Sequence, residues 1–194
     1  MCPSKLLLAC LVLAAAVSAQ SEELPQQSPE HPPWQASGEL GELLAKMDAA
    51  CKRSQAVFEP LSAEQMNWRP PNGTHTPRWN VEHMRGTQLR FFSQIYAAID
   101  PELHREIDLN PEQMPPDYEP AHPEWTGADE ARFMGQVNQY VQSFAYLLED
   151  LDLEAKAPGS RWKLRGLLVQ MERHFDEHTA NVRKKMELPE WPSE

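Results

Sequence analysis

The side chains best equipped for chemistry in this sequence are its seven histidines, and context separates them. His31, His75, His104 and His122 lie in or beside Pro-rich connections, where an imidazole is by default solvated or locally hydrogen-bonded. His83 lies near the start of a helical segment. His174 and His178 are four apart in Met171-Glu172-Arg173-His174-Phe175-Asp176-Glu177-His178, on or beside an apolar stripe. Such a pair is separated by about 40° around a helix and ~6 Å along it, so two imidazoles can converge on one ion. A third ligand must come from another helix. Three neutral nitrogens and no thiolate suit zinc, nickel, iron or copper, and leave a position open for water or substrate, as catalytic metal sites require. A pair at this spacing also arises in packed cores. Spacing alone therefore leaves two readings open: a metal site, or core histidines in a non-catalytic binding or structural module.

Other chemistries find less support. The zinc-protease motif needs Glu directly after the first histidine, and Phe175 stands there. The glycines are scattered singly, without a phosphate-cradling loop, and no Gly-x-Ser-x-Gly elbow occurs. Asp176 with Glu177, and Glu149 with Asp150, read as solvated helix faces. Cys51 falls on an apolar stripe and reads as a small core residue. Lys and Arg number 18 against 29 Asp and Glu, a formal charge of -11, which disfavours nucleic acid or an anionic membrane surface as partner.

The elements that must position the histidines are mapped by proline, which breaks helix interiors. Four proline-free windows, 34–59, 78–100, 124–157 and 159–188, each carry helical periodicity, and no alternating run rich in Val, Ile and Thr argues for a sheet. Ser37 is the expected cap of the first helix and Asn80 of the second. Thr126 with Asp129 forms a near-capping box for the third, whose stripe runs from Phe133 through Val137, Val141, Phe144 and Leu148 to Leu151. The fourth runs from Leu164 to Met186, with Arg183, Lys184 and Lys185 placed to complement its C-terminal dipole. Gly86 and Gly166 interrupt histidine-bearing helices, which points to close packing at each. The connection over 101–125 is long enough to cross the fold or cover a site. The fold expected is all-α: an antiparallel four-helix bundle over 37–188, with one long connection between helices two and three and a tail over 189–194.

The start of the chain reads as an export signal. Lys5, the apolar run from Leu6 to Val17, and Val17-Ser18-Ala19 predict cleavage near Ala19 and a periplasmic or secreted protein. Leu7-Leu8-Ala9-Cys10 admits a lipoprotein reading, at the cost of an unusually short apolar region. Residues 20–36, with four prolines, are expected to form a poorly ordered leader. Cys2 and Cys10 fall in the removed segment, so Cys51 would have no partner for an internal disulfide.

Three stretches carry a family resemblance: Trp68-Arg69-Pro70-Pro71 before a turn, Trp79-Asn80-Val81-Glu82-His83-Met84 opening the second helix, and Met171 to His178 in the fourth. Over 37–188 the sequence resembles the DinB-like family. The resemblance implies a four-helix bundle, dimeric in many members, in which one histidine of the second helix and a His-x-x-x-His pair of the last hold a divalent metal. Carried over residue by residue, those ligands are His83, His174 and His178, with zinc or nickel as the favoured ion. Characterised relatives include thiol-dependent S-transferases and a maleylpyruvate isomerase. The resemblance thus implies a small-molecule substrate, with thiols among the candidate classes, and metal-dependent transfer or hydrolysis. Neither a nucleic-acid partner nor a membrane after signal removal is expected, and a homodimer is possible.

Overall fold

Proline and the capping residues do divide this chain into helices. The structure, a computed structural model, describes residues 34–193 except 112, 113, 115 and 116. The export signal over 1–19 and the leader up to residue 33 lie outside the described residues. The helices are α1 (Gly38–Phe58), α2 (Ala63–Asn67), α3 (Pro77–Ile99), α4 (Gly127–Ser143) and α5 (Leu164–Met186), with a 3-10 turn at Ala145–Leu148. Among the described residues there is no strand, only an isolated bridge between Lys156 and Lys163, so the protein is all-α.

Several boundaries differ from the sequence reading, each for a local reason. Ser37 occupies the α1 cap position, but its side chain makes no capping bond. The α3 cap is Thr76 rather than Asn80: its hydroxyl accepts from the Trp79 amide, and Pro77 takes the first helical position, where a missing N–H costs nothing. Asn80 is thereby inside the helix and free for other work. The Thr126–Asp129 capping box forms as expected. The third stripe does not stay α-helical to Leu151: the chain leaves the α region at Phe144 and continues as a 3-10 turn. Leu148 is still fully buried, because the tighter winding keeps it on the core side. The short α2 was not expected; its box, with Ser62 and Gln65 bonding reciprocally, lies in a segment too short for periodicity to register.

Packing follows the apolar stripes. α1 lies against α4 and α5, and α3 lies against the same two helices. Met47, Cys51, Phe58, Met84, Phe92, Met134, Leu167 and Met171 fill the core between them. Cys51 is fully buried and its thiol is pushed up to about 12, first by burial, so it is the inert core residue expected. Flanking residues also join the fold. Trp34 Nε1 donates to Glu149 at 2.7 Å. Trp191, in the tail segment, meets Trp68 edge to face at 5.3 Å.

The connection after α3 doubles back along it. Ser93 bonds Ile107, Asn110 meets His83 and Thr87, and the Tyr118 hydroxyl donates to Glu82 at 2.6 Å, so the loop climbs α3 toward its N-terminus. Gly86 makes this approach possible. A Cβ there would stand 2.7 Å from the Asn110 Cα and 2.9 Å from the Leu109 carbonyl oxygen. Gly166 shows no such reason, since a Cβ there would meet nothing within 4 Å, and close packing at that position is not found.

Candidate metal centre

The fold brings His83 of α3 against His174 and His178 of α5. Each offers a ring nitrogen, and these atoms lie within 4.8 Å of one another. The ring centroids are 4.8 Å apart for His83 and His174, 4.9 Å for His83 and His178, and 4.5 Å for the α5 pair. His174 is buried; the other two are half-buried.

Two asparagines set the ring orientations. His178 Nδ1 lies 2.8 Å from Asn80 Oδ1, while Asn80 Nδ2 donates to the Thr76 carbonyl at 2.8 Å. An amide oxygen only accepts, so the proton of His178 belongs on Nδ1 and Nε2 keeps its lone pair. His83 repeats the pattern with Asn110 Oδ1 at 2.8 Å, an oxygen that also accepts from the Thr87 hydroxyl at 3.3 Å. This is the outer support that metal-binding imidazoles use to fix tautomer and direction. His83 is further held in a stack, with Trp79 at 4.5 Å and His75 beyond it, 3.5 Å from Trp79.

The trio is also electrically prepared to stay neutral. Burial is the first cause in each case. His83 is lowered, with the Asn110 bond pulling the other way. His174 falls to about 3, helped by His178, His83 and Arg173. His178 falls to about 4, helped by His83, His75 and Lys185. Neutral imidazole is the ligating form, so three neutral nitrogens with no carboxylate among them fit a borderline divalent cation such as zinc or nickel.

Several residues around the site were not singled out from sequence. From sequence Asn80 reads as a cap, and Asn110 falls within the 101–125 connection. Lys185, which from sequence complements the helix dipole, is buried; its ammonium donates to the Asn181 carbonyl at 3.3 Å, and it acts electrostatically on His75 and His178. A buried ionic cluster braces the same end of α3. Glu130 of α4 accepts from Arg78 at 2.9 Å and from Arg85, while Arg78 also donates to Asn67 and to the Trp125 carbonyl. Arg78, Glu82 and Arg85 recur at helical spacing, the one signal that could have marked a buried polar stripe.

Of the other histidines, His75 lies beside the trio across Trp79, while His104 and His122 stand apart from it. His122 stacks on Trp125 at 4.0 Å and is exposed. His104 departs from the expected solvated or locally hydrogen-bonded ring: it is buried, 4.5 Å from Phe144, and its Nε2 has no hydrogen-bond partner among the described residues. His31 lies outside the described residues. Asp176, Glu177, Glu149 and Asp150 are exposed, as expected.

A family model described as the DinB superfamily matches residues 46–181, a span that includes all three clustered histidines. No curated protein and no solved structure matches the chain.

Proposed function

The chain belongs to the DinB superfamily, and from that premise we propose that it is an exported, divalent-metal-binding enzyme of antiparallel four-helix-bundle form, catalysing transfer or hydrolysis on a small molecule. The observation that carries the reading is the pair of asparagines. Asn80 and Asn110 hold Nδ1 of His178 and His83, which leaves Nε2 of each with a lone pair to share an ion with His174, itself kept neutral by burial. The pairing of α1 and α3 with α4 and α5 supports the bundle.

A divalent ion there would act as a Lewis acid, favouring the deprotonated form of a water or thiol ligand. The chain's own residues supply the rest. Asn80 and Asn110 fix the imidazoles, and Trp79 packs behind His83. Lys185 adds a positive charge near His178, so the site suits a substrate or thiol that carries negative charge. With three protein ligands, a coordination position is left for it.

Elemental analysis of protein purified without an affinity tag tests the reading. About one equivalent of zinc or nickel is expected, lost in His83→Ala, His174→Ala and His178→Ala but kept in His122→Ala. Full occupancy in His83→Ala would remove α3 from the site, and no metal in any preparation would favour a non-catalytic module. In the cobalt-substituted protein, small thiols should perturb the visible spectrum if the open position is accessible.

A further inference from the structure

A separate cleft of about 470 Å³ opens beside α3, two helical turns beyond His83, with Arg90, Gln94 and Phe91 on one wall and Ser160 and Arg161 on the other. Its volume is that of a small-molecule site. Thr87 and Asn110 close the end nearest His83. In a chain of net charge -11, the ionisable groups that line this cleft among the described residues are two arginines and no carboxylate.

We infer that this cleft binds the carboxylate or phosphate group of a small organic anion. Arg161 forms no ion pair within the described structure, so its charge is available. Arg90 has its Nε 3.4 Å from Asp108, a contact that orients the guanidinium and leaves both Nη groups to donate. Gln94, Ser160 and the Asn110 Nδ2 add neutral polar groups, while the Phe91 ring offers an apolar face. The opposite wall is already shaped: Ala157 bonds Trp162 at 2.9 Å, Ser160 bonds Ala157 at 3.0 Å, and Gly159, at φ +66, sits so close to α3 that a Cβ would stand 2.9 Å from the Gln94 carbonyl oxygen. Little reordering is needed on binding.

The cleft also touches the histidine site, because Asn110 lines it while holding His83 Nδ1 at 2.8 Å. An anion placed there meets the residue that fixes the His83 tautomer. The inference does not rest on the metal reading, since the cleft is complete without an ion.

Metal-free full-length protein is titrated with inorganic phosphate and, separately, with succinate, followed by amide NMR. Saturable shifts are expected at Asn110, Gly159, Ser160 and Arg161 with at least one probe. Arg161→Gln and Arg90→Gln should each weaken binding about tenfold, and Gln94→Glu should do so by adding a negative charge. These side chains are at least partly exposed, so the variants should fold. Absence of saturable binding by both probes, shifts centred elsewhere, or unchanged affinity in both arginine variants would overturn the inference. Because no metal is present, failure here leaves the metal measurements untouched, and failure to find metal leaves this titration readable.

Discussion

Asn80 joins the first turn of α3 to α5 by one amide. Its Nδ2 donates to the Thr76 carbonyl at 2.8 Å, and its Oδ1 meets His178 Nδ1 at 2.8 Å. The first bond orients the amide, and the amide then selects the His178 tautomer. Leucine at this position would keep the branched outline with slightly bulkier ends and remove both bonds. Asn80→Leu is therefore expected to fold but to bind zinc 10–100-fold more weakly, as loss of such outer support commonly does. Competition against a chromophoric chelator measures this, and an unchanged affinity would remove Asn80 from the site.

The two glycines of the histidine-bearing helices should respond oppositely. Gly166→Ala meets only open space and gains helix propensity, so it should stabilise the fold by up to about 1 kcal/mol. Gly86→Ala meets the backbone of Leu109 and Asn110, so the same gain is offset by displacement of the loop. Its clearest effect should be on zinc affinity, since Asn110 would be moved from His83. Urea midpoints together with chelator competition separate the two. Equal behaviour of both variants would mean that the loop's approach to α3 does not matter.

Much of this architecture is legible in the residues, and what is not has a physical reason. Proline spacing and apolar stripes locate the four long helices because both act within one turn. The 3-10 turn after Ser143 escapes because Phe144, Leu147 and Leu148 keep a period compatible with either winding. His174 and His178 are legible through their spacing, whereas His83 needed the family resemblance, since the contact between α3 and α5 is non-local. Asn80 and Asn110 were not legible as supports: one resembles a cap, the other a turn residue, and only the doubling back of the loop along α3 gives Asn110 a partner 27 residues away.

The ionic cluster at the N-terminal half of α3 should matter far more than ion pairs at the surface. Glu130 is fully buried between Arg78 and Arg85. Glu130→Gln would take the paired carboxylate from buried Arg78 and leave Arg85 only its longer 3.9 Å contact with Glu82, a loss expected to cost roughly 3–5 kcal/mol. Asp176→Asn breaks the exposed pair with Arg53 and should cost under about 1 kcal/mol. Denaturant unfolding of both variants decides the matter; similar losses would mean that Arg78 and Arg85 find other acceptors.

Acid should destabilise the metal-free protein already above the ordinary carboxylate range. His83, His174 and His178 all have folded-state values below 6.5, the last two at about 3 and 4. Once the pH drops below 6.5, the unfolded chain takes up protons that the folded trio refuses. The unfolded state then binds more protons, and stability falls with falling pH. The stabilising contribution is thus complete above 6.5, declines below it, and is exhausted near the lowest folded value. The melting temperature of metal-free protein should fall steadily from pH 7 to pH 5, a window above the ordinary carboxylate range. His174→Phe, which removes the most strongly shifted member while filling its space, should flatten that slope. A level melting temperature across the window in the unsubstituted protein would show that the trio is not held neutral by burial.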